Sequence, residues 1–179
     1  MDINQYTKEA VELLQRLIAT PSVSREENAA ADILADFIEK CGLPVKRIGN
    51  NILVQEALDD NKPTLLLNAH IDTVKPVSSW TRDPFQPVQE GDLIYGLGSN
   101  DCGGGLVATL QTYRIMLHRP RNYNILWVAS AEEEVDESFA EPYHQQPERH
   151  ASDACQDAHQ RIQPNAPRVL PQPYNVLHL

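Results

Sequence analysis

The sequence is short of several things, and each shortage excludes something. It has three cysteines, Cys41, Cys102 and Cys155, widely spaced and odd in number. No two of them form a C-x-x-C pair, so a disulfide framework is not expected and a cytoplasmic setting is. No apolar run approaches the roughly 18 residues a membrane helix needs. Met1-Asp2-Ile3-Asn4-Gln5 lacks the basic stretch and apolar run of a secretory leader. Basic residues are few, 15 against 25 acidic, for a net charge of -10. Nucleic acid and anionic membranes both select basic surfaces, so neither is expected as a partner. From about Asp136 to Leu179 glycine and lysine are both missing, while six of the 13 prolines and four of the six histidines fall there. Apolar residues in that stretch follow no period. It is expected to be irregular, because it cannot bury enough surface to offset its ordering entropy.

What is present suits one α/β domain. The chain has 179 residues, 41% of them hydrophobic, enough for a single core. Ile3, Tyr6, Ala10, Leu13, Leu14, Leu17 and Ile18 recur at helical spacing, and Pro21 ends the pattern. Ser24 and Glu27 read as a capping box opening a second helix, with Ile33, Leu34, Phe37, Ile38 and Cys41 on one face. Gly42 and Pro44 stop it. Strands are expected at 45–48, 52–55 and 64–69. The leucine run of the third has the pattern of a central strand buried on both faces. Residues 75–91 read as a loop, with Glu90-Gly91-Asp92 as a hairpin turn. Gly103–His118 reads as a helix, and Asn124–Ala131 as a second buried strand.

Chemistry-bearing residues follow these elements. His70 and Asp72 lie at the end of the leucine run and, two apart in extended chain, project to the same side. They are either a ligand with its orienting carboxylate or two solvated strand-end groups. Gly96-Leu97-Gly98-Ser99-Asn100-Asp101-Cys102-Gly103-Gly104-Gly105 resembles a phosphate loop only superficially. The third glycine of a dinucleotide fingerprint would fall on Asp101, and no G-K-[ST] follows. The alternatives are a turn aspartate or a glycine-permitted backbone that aims Asp101 into a site. Glu132-Glu133-Glu134 ends the second buried strand. Three successive acids repel one another unless a cation sits there or one holds a proton, or they form a solvated turn. Imidazole and carboxylates together are a zinc ligand set, and a shared carboxylate suggests two metals.

His70-Ile-Asp72-Thr-Val, Trp80-Thr-x-Asp-Pro-Phe85, Tyr95-Gly-x-Gly98-x-x-Asp101-x-x-Gly-Gly105 and Glu132-Glu-Glu134-Val135 resemble the dinuclear zinc amidohydrolases. That family includes acetylornithine deacetylase, succinyl-diaminopimelate desuccinylase, aminoacylase and glutamate carboxypeptidase. The resemblance implies part of a zinc-peptidase-like catalytic domain, with a mixed central sheet flanked by helices. It implies His70, Asp101 and Glu134 as metal ligands, Asp101 bridging two zinc ions, with cobalt as a substitute. Asp72 would orient His70, and Glu133 would be the general base. The implied reaction is hydrolysis of an N-acyl amino acid, most closely N-acetylornithine in arginine biosynthesis or an N-succinyl analogue. A dipeptidase or aminoacylase of the same family is the neighbouring possibility. The homodimers of the family imply a pairing element that is not recognisable here.

The resemblance covers residues 1–135. Residues 136–179 are expected to be an unrelated tail, since the family's later carboxylate and histidine ligands are not recognisable there. That leaves an incomplete ligand set and, as the alternative function, a non-catalytic remnant or binding module. His144, His150 and His159 are the tail residues that could replace a missing ligand.

Overall fold

The apolar stripes place the helices. In the computed structural model, which describes residues 2–56 and 59–135, α1 spans Ile3–Ile18, with Asp2 as its cap accepting from Asn4 N–H. Its buried Leu13, Leu14 and Ile18 form the expected stripe. Helix α2 spans Asn28–Lys40 and turns Ala30, Ala31, Leu34 and Ile38 inward. Gly42, with φ +76°, follows it in the left-handed conformation glycine adopts without strain. Helix α3 spans Gly105–Leu117, two residues shorter at its start than expected. The glycines before it form an irregular helical turn, Ser99–Gly104.

The strands are β1 (Lys46–Ile48), β2 (Asn51–Gln55), β3 (Thr64–His70), β4 (Val88–Glu90), β5 (Leu93–Tyr95) and β6 (Asn124–Ser130). Four of them form a mixed sheet in the order β1-β2-β6-β3. β6 runs parallel to β3, pairing His70 with Ser130 and Ala69 with Ala129, and antiparallel to β2. β4 and β5 form a separate hairpin across Gly91. This is the expected mixed sheet flanked by helices. Two details differ from expectation. Residues 88–90 of the expected loop are a strand. The leucine run is an edge strand among the described residues, with Leu65 39% exposed, and β6 holds the central place. A continuous apolar run marks a strand that meets apolar surface but does not number its neighbours.

Side-chain alternation divides the core. Ile52, Val54, Ala69, Ile125, Trp127 and Ala129 face the three helices. Trp127 is fully buried there, its indole N–H donating to Thr109 Oγ1 at 3.1 Å. Leu53, Leu126 and Val128 form a smaller cluster on the other face with Leu66. The parallel pairing of β3 and β6 carries their C-terminal ends to the same edge, where parallel sheets gather functional groups. Among the described residues no helix is long and apolar enough to cross a membrane. The tail expectations, including those on His144, His150 and His159, lie outside the described residues.

Candidate functional site

His70 is the last residue of β3 and nearly buried. The chain turns immediately after it. Ile71 N–H donates to Ser130 O at 2.7 Å and Thr73 N–H to Ser22 O at 2.9 Å. This folds Asp72, 0% exposed, back beneath the imidazole. His70 Nδ1 lies 2.9 Å from the main-chain oxygen of Asp72 and 3.5 Å from its carboxylate Oδ1. A carbonyl oxygen can only accept, so Nδ1 carries a hydrogen and Nε2 is the nitrogen turned outward. The carboxylate adds charge behind the ring, while the shorter contact to the main-chain oxygen sets the tautomer. The other Asp72 oxygen, Oδ2, accepts from Ser24 Oγ at 2.6 Å and from Glu134 N–H at 2.8 Å.

Asp101 approaches from the glycine loop. Gly96 and Gly98 have φ of +151° and +75°, the freedom the sequence motif promised. A β-carbon on Gly103 would meet Gly98 O at 2.5 Å and Leu14 Cδ1 at 2.7 Å. The loop is therefore packed against its own start and against α1, and this packing sets where Asp101 stands. Asp101 Oδ1 lies 3.1 Å from His70 Nε2. Its side chain is 76% exposed, so it forms the open wall of the site.

The glutamates arrive on the loop after β6. Glu133 Oε2 lies 3.7 Å from His70 Nε2. His70, Glu133 and Glu134 each offer a ligand atom, and these atoms lie within 4.8 Å of one another; His70, Asp101 and Cys102 form a second such group. All five expected site residues, His70, Asp72, Asp101, Glu133 and Glu134, thus gather at one edge of the sheet.

One imidazole and several carboxylates are crowded together here. Burial lowers the pKa of His70, but its hydrogen bond to Asp72 and the charges of Asp72 and Glu133 outweigh burial and hold it up at about 9. Burial raises Asp72, yet the imidazole, the Ser24 hydroxyl and the Glu134 and Glu133 N–H groups hold it down at about 2. Burial and the charges of Asp101 and Glu133 push Glu134 above the usual carboxylate range, with His70 opposing. Crowded carboxylates around one imidazole nitrogen repel one another, and a divalent ion relieves that repulsion. A nitrogen and carboxylate oxygens are the donor set of zinc and of other divalent ions.

Three residues at the site were not anticipated. Cys102 stands beside Asp101, where burial raises its thiol pKa and keeps it neutral. Ser24 and Glu27, read as a capping box, are used otherwise. Helix α2 starts at Asn28, and Glu27 makes no side-chain cap bond to it. Ser24 reaches Asp72, and Glu27 accepts from Arg25 N–H at 2.6 Å, Asn50 Nδ2 at 2.9 Å and Glu132 N–H at 3.2 Å. The S-x-x-E spacing is the same in both uses, so the sequence held no signal to separate them.

Comparison with known proteins agrees with this geometry. A model of Peptidase family M20/M25/M40 matches residues 66–168, from within β3 through the glutamate loop and beyond Val135. Over 134 residues the chain is 32% identical to a succinyl-diaminopimelate desuccinylase of Alkalilimnicola ehrlichii, covering 70% of this chain and 35% of that protein. Over 138 residues it is 32% identical to an acetylornithine deacetylase of Shigella sonnei, covering 70% of this chain and 36% of that protein. The chain therefore spans about a third of the length of these curated relatives. Its fold is similar to the Bacillus subtilis YxeP protein, described as a dinuclear metal-binding peptidase of the M20 family. The TM-score is 0.54 at 16% identity, covering 75% of this chain and 37% of that one.

Proposed function

Since the chain belongs to Peptidase family M20/M25/M40, we propose that it carries the metal centre of an enzyme that hydrolyses the amide bond of an N-acyl amino acid. The substrate class is N-acetylornithine or an N-succinyl analogue, in keeping with the names of the relatives. The acetylornithine reading belongs to arginine biosynthesis. The observation that carries the proposal is His70 Nε2 placed 3.1 Å from Asp101 and 3.7 Å from Glu133, with Nδ1–H held from behind by Asp72.

Zinc is the proposed metal. His70, Asp101 and Glu134 are the residues that would hold it. When bound, such ions polarise a carbonyl and acidify water. The protein's own groups do the rest. Asp72 keeps the proton on Nδ1 and thereby keeps Nε2 available. Glu133, 36% exposed in its side chain, stands on the solvent side, within reach of an attacking water. As the water oxygen bonds to the amide carbon, Glu133 takes the water's proton and returns it to the leaving amine. The amide C–N bond breaks, and a carboxylate and a free amine leave. General acid–base groups of this kind contribute about 10²–10⁴-fold.

The test is amine release from N-acetylornithine, N-succinyl-diaminopimelate and a dipeptide by the full chain with zinc or cobalt. We expect turnover of one acyl class, lost on His70→Ala. Glu133→Gln is expected to lower it about 10²–10⁴-fold while metal is still bound. Turnover that persists in His70→Ala rules the proposal out. The second reading, a metal-binding module without turnover, rests on the same donor group of His70, Glu133 and Glu134. It predicts His70-dependent zinc binding and no amine release.

A further inference from the structure

The loop bearing the glutamates leaves β6 without a partner strand, so its main-chain N–H groups need other acceptors. Buried side chains provide them. Ala131 N–H donates to Asn51 Oδ1 at 3.1 Å, Glu132 N–H to Glu27 Oε1 at 3.2 Å and Glu134 N–H to Asp72 Oδ2 at 2.8 Å. Asn51, Glu27 and Asp72 are all buried, and Glu27 is 0% exposed. Within this loop Glu132 has φ +62°, and Arg25, on the facing loop, has φ +74°. Non-glycine residues hold that conformation when their surroundings impose it. Glu27 is the group common to both, since its Oε1 accepts from each of their N–H groups.

We propose that Glu27, reaching from the start of α2 to Glu132 N–H, is a positioning residue that fixes the glutamate loop so that Glu133 and Glu134 face His70. Ser24 assists from the same segment through Asp72. The inference rests on the reading of this edge as a metal centre and deepens it. Helix capping does not account for Glu27, because the side chain makes no cap bond to α2. Charge alone does not account for it either: the Arg25 guanidinium stands 3.7 Å from Glu132 Oε2, and beside Glu132, Glu133 and Glu134 another carboxylate adds repulsion. What a carboxylate offers here is oxygen that only accepts. Three N–H groups converge on it, and a glutamine would turn an amide NH₂ toward one of them.

The test uses the full chain, Glu27→Gln and the double variant Glu27→Gln/Asn50→Asp. The double variant gives the new amide an acceptor at position 50, where Arg47 Nη2 already donates. Two quantities are measured. One is amide hydrogen exchange at Glu132 in metal-free protein, with Trp127 as the core reference. The other is zinc affinity, by competition with a chromophoric chelator. Glu27→Gln is expected to speed exchange at Glu132 about tenfold or more with Trp127 unchanged. Zinc affinity is expected to fall about 10–100-fold, the usual effect of losing a group behind the ligands. The double variant is expected to recover both. Unchanged exchange at Glu132 overturns the inference, and so does an equal rise at Trp127, which is general destabilisation. Faster exchange with unchanged zinc affinity overturns it too, where wild type binds zinc through His70. Equal zinc binding by wild type and His70→Ala would instead defeat the metal reading. The exchange at Glu132 still decides whether Glu27 holds the loop.

Discussion

A histidine turned toward carboxylates has a pH signature of its own. In the metal-free protein His70 is held up at about 9 against an ordinary 6.5. Its contribution to stability is therefore complete below pH 6.5 and is lost as pH rises through about 9. Asp72, held down at about 2 from 3.8, contributes above pH 3.8 and loses that contribution as pH falls through about 2. Metal-free protein should accordingly weaken between pH 6.5 and 9, a window where ordinary carboxylates and lysines do not titrate. Urea midpoints across that window test this. Wild type should decline and His70→Asn should not, and a flat wild-type curve contradicts the arrangement. Asp72 itself is tested by Asp72→Asn. Its Oδ2 accepts from Ser24 Oγ and Glu134 N–H, and an amide oxygen at that point leaves an NH₂ against the His70 N–H. Zinc affinity should drop about 10–100-fold by competition assay. The five candidate residues that the fold brings together were legible because each stands at a strand end or in a glycine loop, positions where a titratable group is out of place in a mere core. Cys102 was not legible, because burial beside Asp101 is a fact of the fold and not of the motif.

At the scale of elements, the glycine loop and the first helix are one packed unit. Gly103 has Gly98 O and Leu14 Cδ1 within 2.7 Å of where a β-carbon would stand. A carbonyl oxygen cannot swing aside as a side chain can, so the backbone must shift. Gly103→Ala is expected to cost about 1–3 kcal/mol, as overpacking does, read as a lower urea midpoint with an unchanged slope. Asp101 rides on the same loop, so zinc affinity should fall with it. The sequence supplied this element correctly, since glycines flanking an aspartate say that backbone must come close. Elsewhere the pattern was ambiguous. The leucines of β3 read as a central strand, yet the register puts β6 between β2 and β3, and hydrophobic runs carry no information about neighbour order. Ser24 and Glu27 have the spacing of a capping box, yet they serve Asp72 and Glu132, residues distant in the chain. Local pattern predicts local bonds, yet Ser24 is spent on distant Asp72, and Glu27 adds distant Asn50 and Glu132 to its one local donor, Arg25 N–H.

Across the whole molecule, the candidate site draws on three chain segments whose functional residues come together at the sheet edge. His70 ends β3, Asp101 sits on the turn before α3, and Glu133 and Glu134 follow β6. β3 and β6 are tied along seven paired residues, which fixes where their ends stand. The loops at its edge are held by hydrogen bonds and by whatever relieves the repulsion among Asp101, Glu133 and Glu134. An ion held as proposed would join all three segments and favour the folded chain, because the unfolded chain does not bring these residues together. Stabilisation then follows mass action: zinc at a hundred times its dissociation constant should add about 2.7 kcal/mol. For a domain of this size that is a rise of about 10 °C in midpoint. Thermal melts with zinc, with zinc plus chelator, and with His70→Ala and Glu134→Gln check it. The rise should vanish with chelator and in His70→Ala, and shrink in Glu134→Gln. A rise of equal size in His70→Ala would place the ion elsewhere on this acidic surface. A rise confined to wild type makes the three segments one site.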